Sequence, residues 1–293
     1  MYATSFGLIL NAILDPVFIY LLNRCSAGAA VSTVITASIS ALIMGYWIFI
    51  KKDTYIKIKF KETFKSKWDW NITKDILNTG IPASAVQFTL SLAAIMFNFF
   101  INITAGDLGV SIFGTGNRIY LVGLMPITSM CAALVAIMGT HYGAGNLEYI
   151  KRTHTYCCVY TFITGCIVCA LFVIFSKQLA YVFVVTSNDM ELINGIAQFI
   201  SITAFCIPFL GLGLPSSFTY QGLGKGIYSF LWTIMYDIIC VIPAVYIFIF
   251  YLNYGLTGIW LGFVAGRATA SILNFLGAKY TLKKLENIKK EIN

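Results

Sequence analysis

Asn11 and Asp15 stand four residues apart in the stretch NAILDPVFIY at 11–20, with Pro16 directly after the acid. That spacing puts the amide and the carboxylate on one face of a helix, where both can line one pocket. The run around them is apolar from about Tyr2 to Leu22, and about 20 such residues cross a bilayer core. A carboxylate at that depth costs roughly 2.5–3.5 kcal/mol on insertion scales, so it needs a partner or a task. Pro16 removes a backbone donor and clashes with the carbonyl one turn back, leaving that carbonyl free for an ion or a water. The chemistry on offer is binding of a proton or a small cation.

Other polar residues inside apolar runs are few. Asp237 is the second acid well within one, and Arg118 and Arg267 are the embedded cations. Either arginine could neutralise Asp237 as a structural pair, or all three could form an intramembrane charge network with a transport role. Spacing does not say which arginine is nearer. Pro16, Pro126 and Pro243 sit in or at the ends of spans, where they permit kinks and hinge-like bending.

The elements that must position these residues follow from hydropathy. The 293-residue chain is 58% hydrophobic and 11% charged, with a mean hydropathy of +0.80, which is the composition of an all-α integral membrane protein. Eight transmembrane helices are predicted, at roughly 2–22, 28–50, 80–104, 109–139, 153–176, 192–219, 227–252 and 256–278. The hydrophilic stretch Lys51–Asn78 carries eight lysines. The expected organisation is two helices over 1–50, a basic linker over 51–79, a six-helix lobe over 80–282 and a short tail over 283–293. The first run is too long for a cleavable signal and lacks a basic leader.

The net charge of +8 does not indicate nucleic acid, because the basic residues lie between apolar runs and not on one face of a soluble domain. It reads instead as topology. With Met1 on the cytoplasmic side, sixteen Lys and Arg fall in inside segments and two, Arg24 and Lys177, fall outside. Cytoplasmic termini and a plasma-membrane location are the expectation.

Several motifs have bland readings. GAGN at 143–146 and GLGKG at 222–226 lack the strand and the spacing of a phosphate loop, so energy from a nucleotide is not expected. The eight cysteines include Cys157-Cys158 and Cys166-x2-Cys169 within one apolar span, where small apolar packing is the default and no metal is expected. No Ser/His/Asp set or HExxH is visible, and an enzyme is not expected.

A weak internal repeat is present. Leu22-Asn23 followed by Gly28 recurs as Leu252-Asn253 followed by Gly258, each after a proline inside a span, Pro16 and Pro243. Parallel repeats of this kind occur in secondary transporters, with sites near the repeat interface.

These segments, with GIPAS at 80–84, Gly114-x3-Arg118-Ile119, Met125-Pro126-Ile127, GTHYGAGN at 139–146, YQGLGKG at 220–226, Pro243 and GLTGIW at 255–260, resemble the MATE family of multidrug and toxic compound extrusion transporters. The resemblance runs through the whole chain. It implies export of amphipathic, often cationic small molecules in exchange for H+ or Na+, with no other cofactor. Family members have twelve spans in two six-helix lobes, and these eight resemble the fifth to the twelfth. A truncated or split product, with a separate chain supplying four helices, is therefore an expectation, and a non-transporting remnant is an alternative. In the DinF-like branch the amino-terminal lobe binds a cation or proton through an asparagine and an aspartate on the fifth helix and a threonine on the sixth. Asn11, Asp15 and Thr33 match that pattern, while the aspartate contributed by the first helix has no counterpart. The branch with acids in the carboxy-terminal lobe fits less well, because spans 80–104 and 192–219 have only Glu191, at an edge. Tyr236 stands where members often carry arginine. A lipid-linked oligosaccharide flippase of the same superfamily is the other alternative, and it would need a cationic cavity.

Overall fold

The computed structural model describes residues 2–21, 25–49, 69–184 and 189–292, and among them there are helices and no strands. The helices are α1 (Tyr2–Pro16), α2 (Cys25–Phe49), α3 (Trp70–Gly143), α4 (Leu147–Ile174), α5 (Ser176–Phe183), α6 (Met190–Thr203), α7 (Ile207–Gly222), α8 (Gly226–Ile234), α9 (Val241–Tyr246) and α10 (Gly255–Ile292). Short π-helical turns cover Val17–Leu21, Met235–Cys240 and Ile247–Tyr251. Seven helical stretches among the described residues are long and apolar enough to cross a membrane.

One of the seven, Gly80–Gly143, is 64 residues long. At 1.5 Å per residue it would run about three times the thickness of a bilayer core if straight. It does not run straight. Gly106 has φ 59° and ψ −151°, a conformation open to glycine and strained for any side chain. The break falls in the gap between the expected spans 80–104 and 109–139, so the seven long apolar stretches compare with the eight expected crossings through this one merged helix.

The chain divides into two compact units, Met1–Trp70 and Asn71–Asn293. The first is the hairpin of α1 and α2, with its π turn packed on α2. The second holds the remaining helices around a core of Phe97, Phe113, Phe199, Trp260 and Phe263. Phe113 stacks on Trp260 at 6.1 Å, and Phe199 meets the same indole edge-on at 4.7 Å. A smaller cluster, Leu134, Met138, Ile150, Leu223 and Leu282, closes one end.

Small residues set the closest approaches. A Cβ on Gly262 or on Gly266 would fall 2.6 Å from the Cα of Val245 or Val241, so α10 lies backbone-to-backbone against α9. This is the small-xxx-small contact of helices in lipid.

The structure changes two boundaries. The expected linker ends sooner, since α3 starts at Trp70 and residues 70–79 are helical; 51–68 lie outside the described residues. The last helix continues through the expected tail to Ile292. Pro16 and Pro243 adjoin π-helical turns, whereas Pro126 lies inside α3 with no break in the helix.

The internal repeat extends well beyond its sequence signature. The π turns Val17–Leu21 and Ile247–Tyr251 occupy the same place relative to Gly28 and Gly258. A Cβ on Gly28 would meet the Phe18 carbonyl oxygen at 2.5 Å, and one on Gly258 would meet that of Phe248 at 2.8 Å. Both hairpins therefore close by seating a glycine on the backbone of the π turn before it.

Gly106→Ala should lower stability by about 1–3 kcal/mol, through backbone strain alone, because nothing lies within 4 Å of the added methyl. Gly80→Ala, inside the same helix with equally open surroundings, should be neutral or stabilising by up to about 1 kcal/mol. Unfolding midpoints in detergent compare the two.

Candidate functional site

Asp15 lies on the last turn of α1, half-buried, one residue before Pro16 and the π turn. Its Oδ1 accepts a hydrogen bond from the Asn11 amide at 3.2 Å, the i to i+4 contact expected from the spacing. The second donor comes from α2, and it is not Thr33. The hydroxyl of Ser32, fully buried, donates to the same carboxylate oxygen. Thr33 is exposed, and its hydroxyl donates back to the Ala29 carbonyl at 2.8 Å. The correction is one of helical phase. One residue along a helix is a turn of about 100°, so only one of the two adjacent hydroxyls can face α1.

Among the described residues Asp15 has no cationic partner. What surrounds it is an amide, a hydroxyl and the proline turn. A carboxylate held by dipoles keeps its charge available for a proton or a small cation, which a carboxylate paired with arginine does not. An asparagine amide can also present its oxygen after a half-turn of the side chain. Asn11 can thus serve the empty carboxylate as a donor, and an occupying cation as a ligand.

The second intramembrane acid is built differently. Asp237 sits in the π turn Met235–Cys240 with 4% of its side chain exposed, and Arg267 on α10 donates to it at 3.0 Å. The guanidinium is 18% exposed and also donates to the Tyr120 hydroxyl at 3.2 Å, which in turn lies 3.2 Å from the Cys206 sulfur. Aromatic faces cover it, with Phe263 at 4.1 Å and Tyr236 at 5.1 Å from ring centre to the guanidinium carbon. Such stacking suits arginine, which is weakly hydrated and planar. Of the two arginines left open by the sequence, the structure thus chooses Arg267. Arg118 is exposed and takes no part in the pair. The buried Tyr120 and Cys206 were not singled out in the sequence; their role depends on helices far apart in the chain, and no local pattern marks them.

Elsewhere, no group of three or more His, Cys, Asp or Glu that could hold a metal occurs among the described residues. His154 is buried in α4, with its Nδ1 3.0 Å from the Thr219 hydroxyl and its ring stacked on Phe275. It ties α4 to α7.

The MatE family model matches residues 82–247, more than half of the chain. The chain belongs to the MatE family. A crystal structure of a MATE in complex with MaL6 superposes with a TM-score of 0.92 at 30% identity, covering 98% of this chain and 63% of that one. A MATE in a bent conformation superposes with a TM-score of 0.86, also at 30% identity, over 98% of this chain and 62% of the other. The probable multidrug resistance protein NorM of Thermotoga maritima is 23% identical over 256 residues, which is 86% of this chain and 53% of that protein. The chain thus spans about half the length of the curated relatives it matches. This is a family of membrane transporters, not of enzymes, and its members are multi-pass proteins of the bilayer.

Two outcomes are expected from these geometries. Removing a hydrogen bond to a charged group costs about 1.5 kcal/mol or more, so Ser32→Ala should lower stability by about that amount and Thr33→Ala by much less. Unfolding midpoints in detergent decide between the two hydroxyls. Breaking the buried pair from one side, by Asp237→Asn or Arg267→Met, should cost about 3–5 kcal/mol, whereas replacing both partners should cost much less. A double-mutant cycle on unfolding midpoints measures the difference.

Proposed function

We propose that this chain forms the ion-coupling hairpin and the carboxy-terminal lobe of a MATE-type antiporter, which exports amphipathic, often cationic small molecules in exchange for H+ or Na+. The observation that carries the proposal is the shell of Asp15, an intramembrane carboxylate on a proline-loosened turn with an amide, a hydroxyl and, among the described residues, no cation.

In the proposed mechanism the outward-facing state binds H+ or Na+ at Asp15, with Asn11 and Ser32 assisting. Neutralising the carboxylate removes a charge that the bilayer interior disfavours by roughly 2.5–3.5 kcal/mol. That change favours a bent course of α1 at Pro16, where the helix already passes into a π turn. A MATE related to this chain is known in a bent conformation, which supports bending as the output. Bending displaces the drug, and the ion leaves to the cytoplasm. Coupling requires the ion to bind the two states with different affinity; equal affinity drives nothing.

The domain organisation follows the same proposal: residues 1–50 belong to the amino-terminal lobe, and the six crossings from 80 onward form the carboxy-terminal lobe. The rest of the amino-terminal lobe would come from further sequence or from a separate chain. Sixteen basic residues against two support a topology with both ends in the cytoplasm. The flippase alternative loses support, because Arg267 is neutralised by Asp237, which leaves Arg118 of the two embedded arginines, among the described residues, as a candidate for a cationic cavity.

Asp15→Asn in a two-lobe version of the protein keeps the size of the side chain and removes its charge. Gradient-driven efflux from loaded vesicles should fall to the leak level. Efflux that survives unchanged rules out Asp15 as the coupling group.

A further inference from the structure

Among the described residues five side-chain polar atoms are buried without a hydrogen-bond partner: the Trp260 indole Nε1 in the aromatic core, and the Arg267 Nε, the Tyr236 hydroxyl, the Ser271 Oγ and the Asn274 Oδ1. Arg267, Ser271 and Asn274 follow one another at i, i+4 and i+7, so they share one face of α10. Tyr236 covers the guanidinium from the π turn that also carries Asp237, and its hydroxyl lies beside Ser271. Ser271 is fully buried and Asn274 is 4% exposed. The far wall is α7. The Asn274 amide donates to the Gly213 carbonyl at 2.9 Å and to the Ser217 hydroxyl at 2.7 Å, which uses both of its hydrogens and leaves its oxygen bare. Gly213 keeps the wall close, since a Cβ there would stand 2.8 Å from Ser271.

A buried polar group left unpaired costs about 1–3 kcal/mol, and here four are aligned along one seam. One such group is ordinary; three along one face of α10, with the Tyr236 hydroxyl beside them, call for an occupant. Its chemistry can be read from the row. Arg267 Nε is a donor only, Asn274 Oδ1 is an acceptor only, and the two hydroxyls can be either. The occupant must accept at one end and donate at the other. A metal cation is repelled by the adjacent guanidinium, and the carboxylate of Asp237 is already engaged. An anion has no free positive charge to meet.

We propose that this seam binds water: a short file of about two or three ordered molecules along α10 from Arg267 to Asn274, which stand roughly 10 Å apart. The first water accepts from Arg267 Nε–H and from a hydroxyl; the last donates to Asn274 Oδ1. The file hydrates the free side of the Asp237–Arg267 pair. It lets the guanidinium leave the carboxylate without becoming a bare ion in a dry core, and so makes the pair able to open and close. The site stands independently of any coupling role for Asp15.

The test is X-ray radiolytic hydroxyl-radical labelling of the full chain in nanodiscs, read by mass spectrometry, because bound water labels the side chains it touches even when they are buried. Tyr220 is the control: it is buried and its hydroxyl already pairs with Thr281 at 3.2 Å, whereas Tyr236 is half-buried with its hydroxyl enclosed, so the Ser271→Ala variant separates labelling within the seam from labelling of the ring edge. Tyr236 should label about threefold faster than Tyr220 or more, and Ser271→Ala, which removes a water anchor without adding volume, should cut that rate by about half or more. Labelling of Tyr236 at the rate of Tyr220 overturns the proposal. So does a fast rate that Ser271→Ala leaves unchanged, since the label would then come from outside the seam.

Discussion

A charge carried into hydrocarbon must be answered from within the protein, and the two intramembrane acids of this chain are answered in opposite ways. Asp237 meets a full positive charge at 3.0 Å, capped by aromatic rings. Asp15 meets only dipoles, an amide and a hydroxyl. The first arrangement is neutral as it stands and ties α10 to the π turn Met235–Cys240. The second is complete only when something positive arrives. One acid is thus closed by a partner of opposite charge, and the other is left open to whatever can approach its dipolar shell.

The internal repeat shows why the acids take different positions along their hairpins. Aligning the two sequences on Gly28 and Gly258 brings the π turns into register and pairs Gly7 with Asp237. A side chain at position 7 would collide with Ser40, because α1 and α2 approach closely there. In the first hairpin an acid therefore has no room at the level of Asp237, and it sits about two turns nearer the connection, beside Pro16. In the second hairpin the glycines take the other strand of the contact: Gly262 stands where the first copy has Ser32, and Gly266 where it has Thr36. The hydroxyl that serves Asp15 has thus become backbone contact in the copy that has no acid at that level. The same closure by a glycine on a π turn supports two different polar interiors.

The sequence makes the crossings legible because hydropathy acts over whole turns, and it makes the break at 105–108 legible because glycine and aspartate interrupt an apolar run. The Asn11–Asp15 contact is also local, four residues on one helix, and the spacing shows it directly. What the sequence hides is anything that depends on the phase of a second helix. Thr33 and Ser32 are adjacent hydroxyls, and family likeness points to one while the packing of α2 on α1 presents the other. Arg267 and Asp237 are thirty residues apart on separate helices, so no spacing rule could prefer Arg267 over Arg118. The helical start at Trp70 is hidden for another reason: its first turns are polar, and a polar helix resembles a linker to any reading based on hydropathy.

The same asymmetry bears on how such a protein could move. An element that shifts between two packings needs its polar groups satisfied in both, since each buried group left unpaired costs about as much as a typical conformational bias. Around Asp15 the means is rotation of an amide, which can offer hydrogen to an empty carboxylate or oxygen to a bound cation. Around Arg267 rotation is of no use, because a guanidinium has donors only. Mobility there requires a partner that can follow, and the unpaired atoms along α10 have the right mixture of donor, acceptor and hydroxyl to hold one. The two π turns beside Pro16 and Pro243 then fall where the helices are already widened, next to polar sites that tolerate rearrangement by different chemistry. Within the second unit the rigid apolar contacts, Trp260 in its aromatic cluster and Gly262 on Val245, would carry displacement at the π turn as motion of a whole helix.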